Sequence, residues 1–176
     1  DLVIHCAAEP AIEASRKKIE EVFNSNLVGT LNVLKKCAKD KSNIIYLSSS
    51  RVYSMSNLFK LKNKSSVKEN FNTESAKSIY GFTKLTSELL IKEYSYLYNI
   101  KYLINRVALV SGPWQFGKEE QGFVSLWIWR HLNNLKLNFI GFGGTGRQVR
   151  DVLHIQDLCE LILLQIQKIK KINNKL

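Results

Sequence analysis

The chain has 176 residues, 45% hydrophobic and 23% charged. That balance builds one sizeable core and excludes a disordered chain. The net charge is +11, but the excess lysines are scattered through stretches such as "KLKNKSSVKEN" and "KIKKINNKL", with no basic stripe and interleaved aromatics, so no nucleic-acid partner is expected. No apolar run reaches the roughly 18 residues of a membrane span, and no leader pattern is visible.

In chain order, "LVIHCA" (2–7) is a short apolar run rich in β-branched residues and predicts a buried strand. Residues 10–23 place Ile12, Ile19, Val22 and Phe23 on a helical period. Residues 26–40 form a second helix, with Leu27, Leu31, Leu34 and Ala38 as its stripe. "NIIYLSS" (43–49) predicts the next strand, and the polar, lysine-rich stretch 54–77 a loop. A long helix follows over 78–98, with Leu85, Leu89 and Leu97 on or near one face. "KYLINRVALV" (101–110) is a strand, "GPWQFG" a turn, 120–133 a helix and "LNFIGF" (137–142) a short strand. An amphipathic helix over 155–169 carries Leu158, Leu161, Ile162, Gln165 and Ile169. No internal repeat and no linker composition interrupt the chain.

Alternating strands and helices imply a parallel, doubly wound α/β sheet. The three cysteines, Cys6, Cys37 and Cys159, lie among apolar neighbours at wide spacing. They read as buried thiols of a reducing, cytoplasmic compartment. The three histidines, His5, His131 and His154, show no ligand spacing, so no metal site is expected.

In doubly wound sheets ligands bind beyond the carboxyl ends of the strands. The chemically loaded segments fall there: "CAAEP" after the first strand, "SSSRVYS" after the second, "SGPWQFG" after the third. The helix that follows opens "SIYGFTK", with Tyr80 and Lys84 one turn apart. A free tyrosine titrates near 10, and a nearby ammonium favours the phenolate. Such a phenolate can take the proton of an alcohol while hydride leaves the carbon, with the Ser49 hydroxyl holding the same alcohol. Hydride transfer needs an acceptor that side chains do not offer, which implies a nicotinamide cofactor.

The segments "DLVIHCAAEP", "NSNLVGTLNVLKKC", "IIYLSSSRVYS", "YGFTK", "NRVALVSGPWQFG" and "RQVRDVLHIQDL", in this order, resemble the extended short-chain dehydrogenase/reductase family of NAD-dependent nucleotide-sugar epimerases and dehydratases. The wording of the second half is similar to epimerases of CDP-linked sugars. The resemblance implies a Rossmann-like sheet with NAD as cofactor, Tyr80 as catalytic base, Lys84 as its partner and Ser49 as the catalytic hydroxyl. It places Cys6, Ala7, Ala8, Asn26 and Ser48 beside the cofactor, together with Tyr80 and Lys84. Gln115, Gln121 and Arg150 are its candidate substrate contacts, with Ser49. Arg150 suits a diphosphate because a guanidinium pairs bidentately with phosphate oxygens; an ion pair with Asp151 or Asp157 is the alternative. Trp114 and Trp127 are candidates for the pocket wall, Trp129 for core or interface. "GFGGTG" (141–146) reads as a turn bringing Arg147 and Arg150 toward substrate. Glu69 reads as solvated surface.

Two departures from the family pattern bear on function. Its glycine-rich cofactor loop is absent, so the sequence reads as part of a longer chain: 1–110 as the C-terminal part of the NAD-binding domain, 111–176 as a substrate-binding region interleaved with the last strands. Ser50 and Arg51 stand where dehydratases of the family carry an Asp–Glu pair, which favours epimerisation over elimination. The apolar faces of 26–40 and 80–98 match the helices through which family members form homodimers or homotetramers. The alternatives are another nucleotide-sugar 4-epimerase or dehydratase, or a non-catalytic binding or oligomerisation module.

Overall fold

The computed structural model describes residues 1–10, 18–61, 66–75, 77–118, 121–139, 142–147 and 149–171. They form two compact units, Asp1–Val107 with Leu163–Leu176, and Ala108–Ile162.

The first unit is built on a three-stranded parallel sheet, β1 (Leu2–His5), β2 (Asn43–Ser49) and β3 (Tyr102–Val107), in the order β1-β2-β3. The register runs Leu2↔Asn43 to His5↔Tyr46, and Ile44↔Tyr102 to Ser49↔Val107. As the central strand, β2 is covered on both faces, which suits its near-continuous apolar run. Ile44, Tyr46 and Ile104 pack with Leu34 and Cys37, and with Ile91 and Ile100, as the core.

The helix between β1 and β2 begins as α1 (Ile19–Phe23), passes through a π turn (Asn24–Val28) and continues as α2 (Gly29–Asp40). Where the sequence suggests two helices, Asn24 and Gly29 keep helical dihedrals and nothing breaks the run. The expected helix start, with Ile12, lies outside the described residues. The buried face of α2 runs through Asn26, Thr30, Leu34 and Cys37, and leaves Leu27, Leu31 and Ala38 half-buried. Polar groups hold the first two positions because His5 and Thr83 bond them, as described below. Lys41, left-handed at φ 54°, ends α2.

The stretch expected as a loop after β2 contains a 3₁₀ turn (Ser50–Val52) and α3 (Met55–Lys60). Ser54 caps α3 by accepting from the Asn57 N–H at 3.3 Å. The long helix is α4 (Ile79–Tyr98), capped by Ser78, which accepts from the Gly81 N–H at 3.1 Å. Its buried face is Gly81, Thr83, Lys84, Ser87, Glu88, Ile91 and Ser95. The leucine stripe read from sequence is therefore displaced: Leu89 and Leu97 are exposed and Leu85 is half-buried. Helical period alone does not say which face a polar-cored helix buries.

The strand expected over 101–110 divides at Ala108. β4 (Leu109–Ser111) leaves the first sheet and pairs in parallel with β5 (Val152–His154), which sequence reading did not find. These strands belong to the second unit with α5 (Phe123–Leu132), which starts at Gly122 with φ 68°. Trp127 is held between Phe123 and Phe139, at ring distances of 5.7 and 5.4 Å. No strand forms over 137–139, residues 140–141 lie outside the described set, and Phe142–Gly144 is a 3₁₀ turn. On α6 (Ile155–Lys168), Gln165 occupies the inward stripe because it exchanges amide hydrogen bonds of 2.9 and 2.7 Å with Asn105.

The cysteines correct one expectation. All three are free thiols, but only Cys37 is buried; Cys6 and Cys159 are exposed. Among the described residues no helix is long and apolar enough to cross a membrane, and no His, Cys, Asp and Glu cluster suits a metal ion.

Candidate active site

Three chain segments meet at the carboxyl end of β2. Ser49 ends the strand and caps the 3₁₀ turn, its hydroxyl accepting from the Arg51 N–H at 3.2 Å. α4 crosses this turn at Gly81, where an added Cβ would collide with the Arg51 carbonyl. That contact sets Tyr80 beside the turn. The Ser49 hydroxyl and the Arg51 guanidinium both lie close enough to the Tyr80 phenol to favour its ionised form.

Burial outweighs both effects and raises the Tyr80 phenol above its usual range. Here the structure departs from the sequence expectation: Lys84 is not the group acting on the phenol. Its ammonium donates to the Leu47 carbonyl at 2.7 Å and lies 4.7 Å from the centre of the Tyr46 ring. Lys84 is only 3% exposed. Desolvation lowers it to about 8, against the opposing influence of Cys6 and Glu88.

Beneath the pair lies a polar layer that is unusual for a core. Asn26, at the π turn, accepts from the Glu9 N–H at 2.7 Å and donates to the Glu9 carbonyl at 3.2 Å and to Thr83 at 3.1 Å. Its side chain thus fastens the segment after β1 to α4. Thr30 donates to the Asn26 carbonyl at 2.6 Å and meets His5 Nε2 at 3.0 Å. Burial and the nearby Lys84 charge both hold His5 below its usual range. Cys6 and Ala7 are exposed and Ala8 is half-buried; burial raises the Cys6 thiol, with Lys84 pulling it back. Ser48 is buried, and its hydroxyl donates to Glu88 at 2.5 Å.

The first unit therefore brings together Ser49, Tyr80, Lys84 and Asn26, with Cys6 near Lys84. It adds groups that sequence reading passed over. In the sequence Arg51 stands out only as a departure from a dehydratase pattern. Tyr46, Glu88 and Arg106 looked like ordinary strand and helix residues. The signal for Glu88 was present, since a carboxylate four residues after Lys84 falls on the same helix face.

The other candidates lie in the second unit. Gln115 donates to the Val110 carbonyl at 3.0 Å and accepts from Ser111 and Ser125 at 3.1 and 3.2 Å. It lines a cavity of about 400 Å³ with Phe116, Gly117, Ser125, Leu126 and Trp129. Gln121 is exposed and bridges Lys118 through the backbone. Arg147 and Arg150 are exposed, as is Trp114, whose φ is 68°. Glu69 serves through its backbone, its carbonyl accepting from Arg106 at 2.8 Å.

Over residues 1–175 the chain belongs to the NAD dependent epimerase/dehydratase family. It is 32% identical over 94% of its length to a putative UDP-glucose 4-epimerase of Methanocaldococcus jannaschii, of which it covers 52%. It is 28% identical over 98% of its length to a CDP-paratose 2-epimerase of Salmonella typhi, covering 55% of that protein. The crystal structure of UDP-glucuronic acid 4-epimerase from Bacillus cereus, in complex with UDP-glucuronic acid and NAD, superposes with a TM-score of 0.80 at 26% identity. That match covers 99% of this chain and 52% of the other. The chain thus spans about half the length of the curated relatives it matches.

The residues present fit the nicotinamide end of NAD. Small side chains follow β1, hydroxyls stand at the end of β2, and the Lys84 ammonium beside them would be available as a donor to a bound cofactor. The glycine-rich loop that would hold the pyrophosphate is not within this sequence.

Proposed function

We propose that this chain carries the catalytic centre of an NAD-dependent nucleotide-sugar epimerase acting on a CDP-linked sugar, as a CDP-paratose 2-epimerase. The observation that carries the reading is the Ser49 hydroxyl beside the Tyr80 phenol at the end of β2, with the Lys84 cation one turn on. The choice of sugar rests on similarity to the Salmonella typhi enzyme along nearly the whole chain.

NAD, when bound beside Lys84 and the small residues after β1, would supply the hydride acceptor and donor for C2 of the sugar. Ser49 holds the C2 hydroxyl and Tyr80 accepts its proton as hydride leaves. Tyr80 gives the same proton back when hydride returns, so the cycle needs no outside reductant. Because Tyr80 rests as a phenol, its ionised form depends on the nearby Arg51 cation, while Lys84 is the proposed donor to the cofactor ribose. Arg150, Gln115 and Gln121 are the proposed contacts to the nucleotide, with residues 111–176 as the substrate-binding region. Ser50 and Arg51, in place of an Asp–Glu pair, favour epimerisation. The exposed Phe82, Leu89 and Leu97 on α4 support assembly of the complete protein as a homodimer or homotetramer.

The test is proton NMR of CDP-paratose incubated with the complete protein and no added reductant. Conversion of the C2 proton couplings to the tyvelose pattern is expected. The higher identity to the Methanocaldococcus protein favours a second reading, 4-epimerisation of a UDP-sugar. Turnover of UDP-glucose to UDP-galactose, with CDP-paratose unchanged, would replace the first reading by the second.

A further inference from the structure

One turn beyond Lys84, the fully buried Glu88 carboxylate is held on several sides. Arg106 Nη2 donates to it at 2.6 Å and Arg106 Nε at 3.0 and 3.2 Å, while Ser48 donates at 2.5 Å. Arg106 is itself fixed: it donates to the Glu69 carbonyl at 2.8 Å, and its guanidinium lies 5.1 Å from the Tyr53 ring centre. The side chains of the pair are 7% and 1% exposed.

Such a pair is a poor way to gain stability, because desolvation offsets much of the attraction and an apolar pair of the same shape does as well. Its placement is specific, however. Ser48 directly precedes Ser49, and Glu88 follows Lys84 by one turn. One carboxylate therefore ties the strand end that presents Ser49 to the helical turn that presents Lys84. The groups that face Lys84 come from each element around it: His5 from β1 and Cys6 just after it, Tyr46 and the Leu47 carbonyl from β2, and Glu88 from α4. Among these described groups the carboxylate is Glu88.

We propose that Glu88, clamped by Arg106 and Ser48, is a positioning residue that supplies the fixed negative charge keeping Lys84 protonated and locks Lys84 and Ser49 in one frame. The inference rests on the proposed function, in which Lys84 belongs to the catalytic centre. It accords with the opposing influences on Lys84, where burial pulls the ammonium down while Cys6 and then Glu88 pull it back up.

The test is a titration of the Lys84 ε-carbon by NMR in the complete protein, beside the pH–rate profile. Wild type is expected to titrate near 8. Glu88→Gln keeps the shape and removes the charge, and should move the midpoint down by about one pH unit, a tenfold change in proton affinity. The break in the rate profile should move with it. Should Arg106, left unpartnered, unfold that variant, the double variant Glu88→Gln/Arg106→Gln removes both charges of the pair and should shift Lys84 the same way by less. A folded variant of either kind whose Lys84 titrates as in wild type would overturn the proposal and leave Glu88 a packing residue. A shifted Lys84 in a protein that turns over no nucleotide sugar would instead overturn the proposed function and leave the positioning role standing.

Discussion

Gly81 packs its bare Cα against the carbonyl of Arg51, with no room for a methyl group between the start of α4 and the 3₁₀ turn after β2. This contact, more than the four-residue spacing of Tyr80 and Lys84, determines that the phenol reaches Ser49. Alanine is the better helix former by roughly 1 kcal/mol, so at an ordinary helical site Gly81→Ala would stabilise. Here overpacking costs about 1–3 kcal/mol and reverses the sign. Withdrawal of Tyr80 from Ser49 should also lower kcat by about a hundredfold. Thermal unfolding and steady-state kinetics of the complete protein check both; unchanged kcat would show that the close approach does not set the site.

The pH dependence follows from the two shifts. Tyr80 is raised, and Lys84 is lowered to about 8. Activity needs phenolate and ammonium together, and below pH 8 the ammonium is present while phenolate grows tenfold per pH unit. Above pH 8, loss of ammonium cancels further gain of phenolate. The expected kcat/KM profile rises with unit slope to about pH 8 and then levels. Arg51→Gln removes a cation that favours the phenolate and should lower the whole profile without moving its break. Tyr80→Phe should abolish turnover while leaving the fold intact. A profile that falls from pH 6 to 8 would be incompatible with Tyr80 as base.

Asn26 joins the segment after β1 to α4 through three hydrogen bonds, and it is 1% exposed. Asn26→Ala leaves the amide and carbonyl of Glu9 short of these partners. The expected loss is about 1–3 kcal/mol, seen as a lower urea midpoint. Faster amide exchange over residues 6–9 than at the far end of β1 would locate the loosening at the segment it holds.

The sequence makes the architecture legible where pattern and packing agree. β1, β2 and α4 are found because their apolar runs and cap residues point to the same elements the sheet requires. Reading falters where tertiary partners override the pattern. β4 and β5 are three residues each and exist only by pairing with one another across an interval of some 40 residues. The inward face of α4 is misread because its core is Thr83, Lys84, Ser87 and Glu88, residue types that normally mark the solvent face. The Tyr–Lys spacing is visible from sequence, but the direction of the Lys84 ammonium is not. It depends on the Leu47 carbonyl and the Tyr46 ring, contributed by a strand more than 35 residues away.

That burial makes Lys84 a test of function against stability. A lysine lowered from 10.5 to about 8 costs the folded protein about 3 kcal/mol at neutral pH, at 1.36 kcal/mol per unit. Loss of its hydrogen bond to Leu47 returns about 1 kcal/mol of that. Lys84→Met should therefore stabilise the complete protein by roughly 2 kcal/mol at pH 7. The sign with pH is fixed: below 8 both folded and unfolded lysines carry the proton and the cost is full, while between 8 and 10.5 only the unfolded one does. Wild-type stability from this group rises through that window, so the advantage of the variant should shrink toward pH 10.5. The variant should meanwhile lose turnover. Unfolding curves at pH 7 and 10 and a single activity assay decide the matter. A variant that is less stable than wild type at pH 7 would mean that Lys84 is held for the fold; one more stable and inactive would mean that the fold bears its cost for the chemistry.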